Sequence, residues 1–321
     1  MATYPKVSAL DGGHITLPER LFITDADPTK RATVPSLCFL IQHPSPSPIS
    51  PDRTANLIFD LGVKRNITAY TPAQQAHIAQ RQPVIVSPDC ADSLRNGGFD
   101  PSTDIDMVIL SHVHWDHVGT PGDFPNATFA VGAGTLDLLA NGAGYLYPKE
   151  LFNHDELPAD RTVEFPALRD DGPRRTETPG DTRAVLPVEE GNWEWEKLGA
   201  FLNALDLLGD GSVWVVDSPG HLYGHVNLLV RTGDKKWVYL GGDCCHDPRI
   251  LSQEKGIALY EDGRGGLRSV HVDTETASCT LEGIRKFVKE QEEQGVEVEV
   301  IMAHDGVWRV RNKERFWPGC L

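Results

Sequence analysis

Short apolar runs separated by turn-forming residues set the pattern of this chain. Leu37 to Ile41 and Asn56 to Asp60 each predict a strand, linked by the Pro- and Ser-rich turn His43 to Pro51. Thr71 to Gln82 predicts a short helix starting near Pro72, and Asp104 to Leu110 a buried strand. Ala127 to Val131 adds another strand, followed by a helix around Thr135 to Leu139. Trp193 to Leu208 is apolar and helix-compatible, and it ends at Gly209-Asp210-Gly211. The strand theme then returns at Ser212 to Val216, Val226 to Arg231, Lys236 to Leu240 and Val296 to Met302. Before the last of these, Leu281, Ile284, Phe287 and Val288 recur at helical spacing, with Lys, Arg and Glu opposite and Gly295 to close the end. Strands and helices in both halves predict two mixed β-sheets packed together with helices outside, an α/β architecture.

Between 155 and 192 the composition turns charged, Pro-rich and Gly-rich, with too few apolar residues for a core of its own. The expectation is a surface excursion within a single domain of residues 1–321. Hydrophobic content of 40% with 24% charge is ordinary for a globular protein. No apolar stretch approaches the ~20 residues a bilayer span requires, so a membrane span is excluded. The first residues lack a basic region followed by an apolar core, which points to the cytoplasm. A formal net charge of −16 argues against nucleic acid as a partner. The six scattered cysteines include no C-x-x-C pair, and adjacent Cys244 and Cys245 are expected as buried thiols.

Against this ordinary background stands His112-Val113-His114-Trp115-Asp116-His117, directly after the apolar run Met107 to Leu110. Pro219-Gly220-His221, Gly241-Gly242-Asp243 and Ala303-His304-Asp305 follow strand-like runs in the same way. Four strand ends that gather imidazoles and carboxylates suit zinc. His112 and His114, two apart in an extended segment, can chelate one ion. The following turn can direct Asp116 and His117 to a second. Asp243 is the expected bridge, because a carboxylate has two oxygens to share and an imidazole nitrogen cannot bridge. Two Zn²⁺ per chain would lower the pKa of bound water to roughly 7. Hydrolysis by a metal-bridging hydroxide is therefore the leading expectation.

In these motifs the chain resembles the metallo-β-lactamase superfamily: H-x-H-x-D-H at His112 to His117, P-G-H at Pro219 to His221, Gly242-Asp243 and the late His304. Asp60 in Phe59-Asp60-Leu61-Gly62 resembles the family's D-x-G turn. The resemblance runs from about Leu37 to Val310 and implies an αββα sandwich. It implies one ion on His112, His114 and His221, the other on Asp116, His117 and His304, and Asp243 between them. An Asp at 243 separates the chain from true zinc β-lactamases, which resemble it elsewhere but carry Cys there. Leu10-Asp11-Gly12-Gly13 and Ala303-His304-Asp305-Gly306 are similar to the lactonase-like branch, whose known members open acyl-homoserine lactones. Members of that branch usually carry a Tyr three residues after the bridging Asp, on the substrate carbonyl; His246 stands there. The expected activity is opening of a cyclic ester, a lactone, on a small-molecule acyl substrate that could also be a lactam. Asp116 or a metal-bound water would return the proton, and His246 would contact the carbonyl. A γ-lactamase or cyclic carbamate-opening enzyme, an acyl thioesterase, and an inactive binding protein on the same fold are the alternatives. Trp115, Leu222 and Tyr223 either wall the substrate or pack below the metals. His225 is expected to support a ligand or simply to pack, rather than to bind metal itself, whereas His14, His43, His77, His154 and His271 carry no spacing argument.

Overall fold

The computed structural model describes residues 4–44, 53–153, 155–168 and 193–321. In chain order the strands are β1 Lys6–Pro18, β2 Arg31–Pro44, β3 Thr54–Phe59, β4 Met107–Ile109, β5 Thr128–Val131, β6 Gly142–Ala143, β7 Tyr147–Pro148 and β8 Thr162–Glu164. The second half adds β9 Trp195–Leu198, β10 Phe201–Asp206, β11 Val213–Asp217, β12 Val226–Gly233, β13 Lys236–Leu240, β14 Tyr260–Glu261, β15 Leu267–Arg268 and β16 Glu297–Ile301. One sheet runs β1-β2-β3-β4-β5-β8, antiparallel through β3 and parallel beyond it; the other runs β16-β13-β12-β11-β10-β9, with only β13 and β16 parallel. The pairs β6-β7 and β14-β15 are small hairpins.

Side-chain alternation along each strand supplies the layers. Phe39 and Ile41 of β2 face Val215, Leu228 and Leu240 in a core between the sheets. Their neighbours Cys38 and Leu40 face outward onto α2 (Cys90–Asn96) and α4 (Thr135–Asn141) through Leu94 and Leu138. On the far side, Leu281, Ile284 and Phe287 of α6 (Thr274–Glu293) cover Trp214, Leu229 and Tyr239. Burying one Leu- or Phe-sized side chain is worth about 2–3 kcal/mol, so the apolar stripe of α6 fixes this helix on its sheet. The result is the αββα sandwich. Three further short helices, α1 Pro72–Ile78, α3 Trp115–Val118 and α5 Pro248–Leu251, lie near the site, and α7 Gly306–Arg311 follows β16. Among the described residues no helix is long and apolar enough to cross a membrane.

Three features differ from expectation. Trp193 to Leu208 forms β9 and β10, not a helix. Trp193 and Trp195 are buried while Glu194 and Glu196 are exposed, a period of two, and Gly199 at φ +57° turns the hairpin. The indoles are pinned, Trp195 Nε1 donating to Pro166 O at 2.7 Å. β1 went unmarked because Gly12-Gly13 interrupts its apolar run; the register shifts between Asp11 and His14. Within the stretch expected to run over the surface, 155–168 instead adds β8 to a sheet edge and buries Val163 and Phe165; 169–192 lies outside the described residues.

Candidate metal centre and its pocket

The site collects at one end of the sandwich, where four strands stop. β4 leads through Ser111 to His112 and His114, and α3 then turns Asp116 and His117 inward. β11 ends at Asp217, and the turn Ser218-Pro219-Gly220 presents His221. β13 leads through Gly241-Gly242 to Asp243, and β16 through Met302-Ala303 to His304. His112, Asp116, His117, His221, Asp243 and His304 are all buried.

Two sets of donors result: His112, His114, His221 and Asp243 in one, Asp116, His117 and His304 in the other, each with its ligand atoms within 4.8 Å of one another. In the first, His114 Nδ1 lies 2.9 Å from His112 Nε2 and 3.0 Å from His221 Nε2. Asp243 Oδ2 lies 3.7 Å from His112 Nε2, 3.6 Å from His221 Nε2 and 3.3 Å from His117 Nε2. Its other oxygen lies 3.2 Å from His304 Nε2, which is 3.6 Å from Asp116 Oδ2. Asp243 therefore joins the two sets.

The far sides of three imidazoles are fixed by polar neighbours. His117 Nδ1 lies 2.8 Å from Asp60 Oδ2, His304 Nδ1 donates to Pro35 O at 2.7 Å, and His112 Nδ1 lies 2.9 Å from Ser111 Oγ. With Nδ1 protonated, Nε2 presents a lone pair inward. His117 Nε2, His304 Nε2 and Asp243 Oδ1 are buried with no hydrogen bond. Such orphaned acceptors are costly unless a cation occupies the space among them. The residues present thus fit divalent metal ions.

Electrostatics agree. Burial holds His112, His114 and His221 well below the ordinary histidine range, keeping them neutral as ligands. Burial opposes charge on His117 and His304 too, but Asp243 together with Asp60 raises His117, and Asp243 together with Asp116 raises His304. Burial likewise opposes charge on Asp243, yet His304, His117 and His246 hold its carboxyl well below the usual carboxylate range.

All seven expected ligands thus come together, and Asp60 lies beneath them, accepting from Ser111 N and Ser111 Oγ, each at 2.7 Å. His246 Nε2 sits 3.1 Å from Asp243 Oδ2, and its ring stacks on His304 at 5.5 Å. His225 accepts from Asp243 N at 3.1 Å. Cys244 and Cys245 are buried thiols, Cys244 against Met302, and neither joins a donor set. Leu222 is core and Tyr223 is 55% exposed, so only Trp115 of the three aromatic or apolar neighbours lines the pocket. Sequence reasoning missed His271, buried with Nδ1 3.2 Å from His221 Nδ1, across fifty residues with no motif to join them. It also missed His77, Arg81 and Arg268 on the pocket wall. His43 belongs elsewhere, 2.8 Å from Asp210, and His154 lies outside the described residues.

Above the cluster opens a pocket that is continuous with solvent. Phe22, Trp115, Tyr147, Phe152 and Tyr260 give it apolar walls, and His114, Asp116, Asp243, His246 and His304 form its floor.

No protein-family profile matches the chain. It is 27% identical over 334 residues to cytochrome P450 monooxygenase mpaDE of Penicillium brevicompactum, covering 98% of this chain and 34% of that protein. It is 32% identical over 193 residues to gamma-lactamase MBL2 of Gibberella moniliformis (strain M3125 / FGSC 7600), covering 59% of this chain and 70% of that one. Among solved structures, an N-acyl homoserine lactone hydrolase with N-hexanoyl-L-homoserine bound at its catalytic metal centre shares the fold, at a TM-score of 0.64 and 17% identity over 100% of both chains. The chain spans only 24% to 34% of the length of the mpaDE proteins it matches. Fold, donor sets and relatives, gamma-lactamase MBL2 among them, together define the family. The chain belongs to the metallo-β-lactamase superfamily and is lactonase-like within it.

Proposed function

We propose that this hydrolase carries two zinc ions and opens a lactone. The observation that carries the reading is the gathering of seven donor side chains into two sets joined by Asp243, with His117 Nε2, His304 Nε2 and Asp243 Oδ1 buried and unpartnered. His112, His114 and His221 would hold one ion, Asp116, His117 and His304 the other, with Asp243 shared. Five imidazoles and two carboxylates favour zinc over harder cations. When bound, the ions would supply ionised water near neutral pH and offset charge on the acyl oxygen.

The chain's own groups do the rest. Asp60, Pro35 O and Ser111 hold the ligand imidazoles in the tautomer that faces inward. Phe152 lies nearly parallel to His114 at 6.3 Å and, with Trp115, excludes water from the floor of the pocket. Asp116, on that floor, would move the proton to the leaving atom. His246, whose Nε2 lies 3.1 Å from Asp243, would contact a substrate carbonyl in the pocket.

A lactam is the second reading, favoured by the similarity to a gamma-lactamase. The test is metal analysis of purified protein with turnover of γ-lactone, γ-lactam and thioester panels. About two zinc per chain with lactone opening supports the proposal. Turnover of lactams alone selects the second reading, and protein that takes up no metal in zinc-replete buffer sinks both.

A further inference from the structure

Arg81 lies in the wall of the pocket, on the short turn Ala79–Arg81 that follows α1, and only 9% of it is exposed. Among the described residues its guanidinium makes no hydrogen bond and no ion pair, although the protein carries a formal charge of −16. A buried charge without a partner is costly, so its retention in a pocket calls for a ligand that supplies the missing charge.

Arg268 lines the same pocket and has no carboxylate partner among the described residues. It lies over the rings of Tyr147 and Tyr260, at 5.3 and 5.5 Å, and donates to Tyr147 Oη at 3.4 Å. Its cross-strand neighbour in the β14-β15 hairpin is Tyr260. His77 stands beside these two arginines; burial first, then Arg81 and Arg268, push it down to about 4, so it stays neutral and able to hydrogen-bond. Burial opposes the charge on Arg81 most, Asp116 and Tyr260 favour it, and Arg31 and Arg20 add further positive charge. The pocket thus has one wall that is cationic and one floor that is metal-binding, a polarity suited to a two-ended substrate.

We propose that Arg81, assisted by Arg268, binds a carboxylate carried by the substrate at a distance from the acyl group being opened. The planar fork of a guanidinium matches a carboxylate's two oxygens, and aromatic stacking on Tyr147 and Tyr260 orients the second fork. The substrate class is then an anionic lactone or lactam rather than one with a purely alkyl chain. This rests on the hydrolase reading above.

Two measurements separate the two ideas. In the first, wild type and Arg81→Gln are titrated calorimetrically with monomethyl adipate, which bears one carboxylate, and with neutral dimethyl adipate. Wild type is expected to prefer the anion, and R81Q to bind it at least tenfold more weakly, the loss of one charge-assisted pair. Equal affinity in R81Q, or no preference in wild type, overturns the proposal. In the second, kcat/KM is compared for N-adipoyl-homoserine lactone and its ω-methyl ester. A ratio of ten or more in wild type that falls towards one in R81Q supports the assignment; a ratio near one in wild type overturns it. If neither lactone opens, the lactonase reading fails and the calorimetry still decides the carboxylate site. Arg81→Lys keeps the charge without the fork and is expected to fall between; should the variants not fold, the wild-type ratio alone decides.

Discussion

Asp60 Oδ2 and His117 Nδ1 lie 2.8 Å apart, both side chains buried, at the ends of two parallel strand connections. This contact forces the His117 proton onto Nδ1 and leaves Nε2 free to face Asp243. An Asn at 60 would still accept from Ser111 N, but its amide nitrogen would present a donor to His117. The proton would then move to Nε2, the atom needed for a metal. Asp60→Asn is expected to fold and to lose 10- to 100-fold in metal affinity, measured by competition with a chromophoric chelator. Wild-type affinity in that variant would show that Asp60 does not set the tautomer.

Asp243 makes a sharper case. Its two oxygens reach His112, His117, His221 and His246 on one side and His304 on the other. Asp243→Asn removes the charge common to both donor sets, so metal content and turnover should fall together, turnover by a factor of 100 or more (about 2.7 kcal/mol or more). Metal analysis beside kcat tests this. Full activity with a full metal complement would remove Asp243 from its central place.

The clustering of the candidate donors was legible because six residues, His112 to His117, carry four of them after one buried strand, and later motifs repeat the strand-then-donor order. The sandwich was legible where apolar runs are uninterrupted, as in Leu37 to Ile41. What escaped was non-local or masked by local pattern. Trp193 to Leu208 has apolar residues at helix-like spacing, yet Trp193-Glu194-Trp195-Glu196 alternates strictly, and burial followed the alternation. His271 reaches His221 only because the link from β15 to α6 lies along the Gly220-His221 turn, Val272 N donating to His221 O and Asp273 N to Gly220 O. Arg81 is one charged residue at a helix end; nothing in the chain's order reveals that it faces inward without a counterion.

Gly242 is where backbone and site are most tightly coupled. Its φ is +46°, and a Cβ there would stand 2.8 Å from Ser111 Cβ and 3.1 Å from His225 Nε2. Ser111 in turn holds Asp60 and His112. Gly242→Ala should therefore cost about 2–3 kcal/mol of stability through strain and displacement, and weaken metal binding as Ser111 moves. Chemical denaturation with parallel metal titration would check both; an unchanged midpoint would mean that Ser111 yields freely.

Asp217 predicts a pH dependence of known sign. It closes β11, and burial pushes its carboxyl up to about 6 from a usual 3.8, with a hydrogen bond from Asn203 acting the other way. Because the folded value lies above the unfolded one, the folded state bears a cost when both are ionised, and that cost is relieved as pH falls through 6. Asp217→Asn removes the charge while keeping an acceptor for Asn203. The variant should be more stable than wild type at pH 7.5 by about 1–2 kcal/mol, allowing for partial solvent screening. The gain should shrink to about half at pH 5, where the wild-type carboxyl is already largely protonated in the folded state but not in the unfolded one. Urea unfolding at the two pH values measures it. A gain that does not change with pH would trace to packing rather than to the buried charge.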